Sequence, residues 1–72
     1  MNREEVIKKI NGDVDLQMCL DDRVHDHFSR LASEVNNSGV EGQLEWLKET
    51  VGEDYEVALK ELEFAKKNGE VA

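Results

Sequence analysis

The segment Cys19, Asp21, Asp22, His25, Asp26, His27 gathers the residue types that could ligate a metal ion or activate a nucleophile. A closed zinc site wants four such ligands, and a catalytic thiol wants an imidazole on a facing element. Helical geometry works against both. His25 and His27 are two apart, so at about 100° per residue they point about 200° away from each other. Asp21 and His25 are four apart and Asp22 and His25 three apart, but each pairing supplies only two ligands. Cys19 falls on the same predicted helix as both histidines, on its polar side, and reads as a partly exposed thiol. No phosphate-binding glycine loop or serine nucleophile motif is present, and Gly39 and Gly42 read as a helix start and a close helix contact. The sequence therefore predicts no catalytic site, no metal and no cofactor.

Charge and aromatic placement remain as the chemistry on offer. Seventeen Asp and Glu against nine Lys and Arg give a net charge of -8, which repels nucleic acid phosphates and anionic lipid and suits a basic protein partner. The charge is uneven, summing to +1 over residues 1–12, -4 over 13–37 and -5 over 38–72. Glu41, Glu45 and Glu49 stack at intervals of four, Glu53 and Asp54 continue the row, and Asp22 and Asp26 form a further like pair. By contrast, Glu56 with Lys60 and Glu63 with Lys67 are oriented for favourable pairing along one helix. Carboxylates one helical turn apart, at about 6 Å, match neighbouring phosphates in scale and so allow mimicry of a nucleic acid backbone.

The aromatic signal lies on two adjacent helices. Trp46 is more than a third of a turn away from the apolar stripe Val40, Leu44, Leu47, Val51. Val57 and Phe64, seven apart, lie far from the face carrying Leu59 and Leu62. Such groups either pack under another helix or form an exposed anchor for a partner.

The elements that must position these residues are helical. Asn2 with Glu5 caps a first helix over 3–10 whose Val6, Ile7 and Ile10 share a face, and Asn11-Gly12 ends it. Asp13 opens a second over 14–36. Its Leu16, Leu20, Val24, Phe28, Leu31 and Val35 step by four, four, four, three and four. Gly12 breaks the stripe Ile7, Ile10, Val14 into two helices, although one continuous helix also keeps register there. Asn36-Asn37 offers a left-handed stop and Ser38 with Glu41 a capping box, opening a third helix over 39–51 that Gly52 closes. Asp54 opens a fourth over 54–67, with Tyr55, Ala58, Leu59, Leu62 and Ala65 on one face and Lys66 and Lys67 near its negative end. As a recognition helix in a helix-turn-helix it would carry Asp54, Glu56, Glu61 and Glu63 against three lysines, which argues against DNA.

The fold class is thus all-α, one domain over 1–72, a small bundle of three to four helices. The expected core is Leu16, Leu20, Val24, Phe28, Leu31, Val35, Leu44, Leu47, Val51, Leu59 and Leu62. A chain of this length buries only about 60% of its unfolded surface. Its single cysteine rules out a bridge within the chain and points to a reducing compartment, the cytoplasm. No run reaches the roughly 18 apolar residues of a membrane span, and the first residues lack the order of a signal peptide.

The expected function is non-catalytic: a regulator or inhibitor docking on a larger protein with a basic surface, with short acidic chains of phages and mobile elements as the analogy. Its expected surface is Glu41, Glu45, Trp46, Glu49, Glu53, Asp54, Val57 and Phe64, extended by Asp22 and Asp26. The alternatives are a nucleic acid mimic that inhibits a host or defence enzyme, and a self-assembling homo-oligomeric module.

Overall fold

Asn2 stands in extended conformation and its side chain accepts a hydrogen bond from the Glu5 amide at 2.9 Å, so the first helix starts where its cap is. The computed structural model describes residues 2–69. Helix α1 spans Arg3–Asn11 and ends at Gly12, and Asp13, also extended, accepts from the Asp15 and Leu16 amides at 3.0 and 3.3 Å to open α2, Val14–Phe28. The Gln17 side chain, reaching back across this turn, donates to the carbonyls of Ile10 and Asn11 at 3.2 and 3.0 Å and satisfies the exposed end of α1. The helices are therefore separate.

The helix expected over 14–36 is divided. Ser29 adopts φ 49° and ψ -100°, a conformation L residues avoid, and a 3-10 turn over Ser29–Leu31 leads into α3, Ala32–Asn37. No glycine or proline marks the break. Its effect is to turn Ala32 and Val35 inward and to leave Leu31, expected in the core, 43% exposed.

The next junction is built differently from the capping box that the sequence suggests. Ser38 is in the right-handed helical region and its hydroxyl donates to the Val35 carbonyl at 2.5 Å rather than accepting from an amide of the following helix. The left-handed residue is Gly39, at φ 80°, not an asparagine. Helix α4 spans Gly39–Trp46 and widens into a π turn over Leu47–Val51, closed by Gly52 at φ 79°. The wider turn rotates its last residue off the α-helical stripe, which is why Val51 is 38% exposed while Leu47 is buried. Asp54, extended but making no side-chain cap bond, precedes α5, Tyr55–Lys67.

The bundle is all-α, and α2 touches α1, α3, α4 and α5. Arg23 pairs with Glu53 at one end of α2 and Asp13 with Lys66 at the other, so α2 and α5 run antiparallel. The core holds nine of the expected eleven side chains together with Val6, Ile10, Ala32, Ala58 and Cys19. Cys19, expected near the surface, is buried because it shares an arc of α2 with Leu16 and Arg23, the arc that meets α5. Among the described residues Gln43 is the buried polar one, its amide nitrogen donating to Asp21 Oδ1 at 2.7 Å and Asn36 Oδ1 at 2.8 Å, so that α2, α3 and α4 are tied together at one point. Among the described residues no helix is long and apolar enough to cross a membrane.

Candidate partner-binding surface

The acid row of α4 is met by a cation from the far end of the sequence. Arg3 of α1 pairs with Glu41 and, through Nε at 3.1 Å, with Glu45. The Tyr55 hydroxyl donates to the same Glu45 oxygen at 2.5 Å, and Lys48 lies over the Tyr55 ring at 5.0 Å. The Tyr55 hydrogen bond is the chief cause holding the Glu45 carboxyl below its ordinary range, with Arg3 adding to it, and the same bond raises the Tyr55 phenol. Glu53 is held by Arg23 in a two-pronged contact, Nε to Oε1 at 2.9 Å and the terminal nitrogen to Oε2. Of the row read from the sequence, Glu41, Glu45 and Glu53 are thus engaged inside the molecule, while Glu49 and Asp54 stay exposed.

Trp46 and Phe64, grouped by sequence pattern, part company in the fold. Trp46 is half-buried and its ring stands edge-on to Phe28, centroids 5.6 Å apart, which makes it a lid on the core. Phe64 is 66% exposed and Val57 48% exposed on the outward line of α5. Lys60, Glu61 and Lys67 are exposed neighbours on that outer face, so the apolar line sits among mixed charges rather than acids. Glu63, whose spacing offered Lys67, is engaged by Lys9 of α1 at 3.1 Å.

Further open acids lie on α2. Asp22 and Asp26 are exposed, with Asp15 on the same side, and beside them Val14 and Met18 are 68% and 47% exposed. This second apolar line was not singled out from sequence. Its signal was there in the four-residue spacing of Val14 and Met18, outside the Leu16-Leu20-Val24 stripe.

An open cleft of about 400 Å³ between α1, α2 and α5 is lined by Lys9, Asp13, Leu16, Glu63, Lys66 and Lys67. Its walls are ion pairs, with Lys66 Nζ 2.6 Å from Asp13 Oδ2. That hydrogen bond from Lys66 is the chief cause holding the Asp13 carboxyl below its ordinary value. No protein-family model, curated protein or solved structure matches the chain. Among the described residues no three His, Cys, Asp or Glu side chains converge as a metal site. The Cys19 thiol is in the core whereas His25 and His27 are at the surface. The described surface thus carries an exposed aromatic ring on α5 and open carboxylates on α2 and around the turn before α5.

Proposed function

We propose that this is a non-catalytic binding protein, a regulator or inhibitor of a larger protein with a basic surface, working in the reducing cytoplasm. The observation that carries the reading is Phe64, the largest exposed apolar group, set with Val57 on the outer line of α5. A small domain with a marginal core gains nothing for folding from an aromatic ring left in water, whereas exposed aromatics of this kind anchor interfaces. The open carboxylates Asp22, Asp26, Glu49 and Asp54 supply the charge that steers a basic partner and sharpens its choice. Glu45, Glu53 and Trp46, each partly buried, serve the fold in this reading, and Glu41, though exposed, is occupied by Arg3. Capture from a lysate with the native chain and with the V57A/F64A variant, compared by mass spectrometry, tests it. A basic protein retained by the first and lost by the second is the expected result; equal capture by both sinks the aromatic contact.

A second reading rests on Asp15, Asp22 and Asp26 sharing one side of α2. Asp22 and Asp26 are one turn apart, about 6 Å, a spacing in scale with a phosphate backbone. A nucleic acid mimic would lose its captured enzyme to competing duplex DNA or heparin and to salt, while an aromatic-anchored partner would resist both.

A further inference from the structure

Ser29 is a serine at φ 49° in the middle of a stretch that contains no glycine or proline between Gly12 and Gly39. The apolar residues on either side, Val24, Phe28, Leu31 and Val35, keep the spacing of one unbroken helix, and the break leaves Leu31 exposed. Local sequence and tertiary packing thus disagree at this residue. Strain of this kind persists only where surrounding contacts enforce it.

Those contacts have a particular arrangement. Arg3 with Glu41 and Glu45, Lys9 with Glu63, Asp13 with Lys66, and Arg23 with Glu53 each join a residue before Ser29 to one after Leu31. The bond between Gln43 and Asp21 and the edge-on contact of Phe28 with Trp46 do the same. The chain is therefore two complementary halves, 3–28 and 32–67, joined by one short strained turn. A short strained hinge between such halves invites exchange of halves between copies.

We infer that a second copy of this chain is a partner, taken up by exchange of halves about Ser29–Leu31. In the exchanged dimer α2 and α3 become one straight helix, and α1–α2 of each copy packs on α3–α5 of the other. The cross-half pairs are all remade between chains. The strain at Ser29 is released, and Leu31 regains the helical register of Phe28 and Val35.

Charge complementation tests this with full-length chains. R23E places two carboxylates together in a closed monomer, and E53R places two guanidinium groups together. Mixed, refolded at high concentration and weighed by native mass spectrometry, the two variants give predominantly a one-to-one heterodimer, since each of its two interfaces then sets a cation against a carboxylate. The R23E/E53R double variant restores the pair within one chain and needs no mate. Absence of heterodimer in the mixture overturns the proposal, whether or not the single variants fold alone. The hinge is tested separately: S29G, which accepts positive φ freely, lowers the dimer population of the native chain about tenfold, equivalent to about 1.4 kcal/mol summed over the two hinges of the dimer, and S29A raises it. Dimer populations indifferent to both substitutions overturn it as well.

Discussion

Arg23 on α2 and Glu53 ahead of α5 are thirty residues apart in the sequence and joined by two hydrogen bonds in the fold. Their side chains are only 25% and 12% exposed, so the pair is shielded from solvent more than the surface pairs of Lys9 and Lys66. Partial burial raises the Coulomb gain and also the cost of leaving one partner alone. R23A and E53A should each lower stability by about 1–2 kcal/mol, with a coupling of about 1 kcal/mol in the double-mutant cycle. Urea unfolding of the four proteins measures it, and additive effects would mean that the two side chains do not stabilise one another.

Gln43 is buried with its amide nitrogen donating to both Asp21 and Asn36. Q43L removes the donor and leaves two acceptors facing a hydrocarbon, at a cost of about 1–3 kcal/mol. Q43E should be worse than Q43L near neutral pH, because it turns a carboxylate toward that of Asp21. If the leucine variant is the less stable of the two in urea, the donor role assigned to Gln43 is wrong.

A Cβ at Gly42 would overlap the side chain of Ser38 one turn earlier, so the close contact read from the sequence is made within the chain's own turn and not with a neighbouring helix. Alanine ordinarily favours a helix over glycine by about 1 kcal/mol, yet G42A should lower the melting temperature because Ser38 must give up its bond to the Val35 carbonyl. The S38G/G42A double variant should recover part of the loss. A G42A protein that melts higher than the native chain would show that Ser38 moves aside freely.

Asp13 and Glu45 have carboxyls held below their ordinary values, Asp13 chiefly by the Lys66 hydrogen bond and Glu45 chiefly by the Tyr55 hydroxyl. A carboxyl whose folded value is depressed contributes stability that is present above its unfolded value, about 4, and lost as pH falls through the folded value. Melting temperature should therefore fall below about pH 4. D13N keeps a competent helix cap while removing the charge, and with E45Q it should flatten that acid dependence. Melts from neutral to strongly acid pH decide the matter, and an undiminished slope in D13N/E45Q would assign the acid sensitivity elsewhere.

Near-neighbour chemistry in the sequence was enough for the all-α class, the caps at Asn2 and Asp13, the separation of α1 from α2 at Gly12, the stop at Gly52 and the inward faces of α2 and α5. Each of these depends on residues within one or two turns of each other, where side-chain type and a spacing near 3.6 settle the geometry. What tertiary structure decided involves distant partners. Arg3 pairs with Glu41 and Glu45 from 38 and 42 residues away, and no helical periodicity carries that information. Ser29 breaks a stripe that is locally continuous because α3 to α5 must fold back on α1 and α2. For the same reason Cys19 is enclosed and Trp46 packs on Phe28, while Phe64, equally off its stripe, stays exposed.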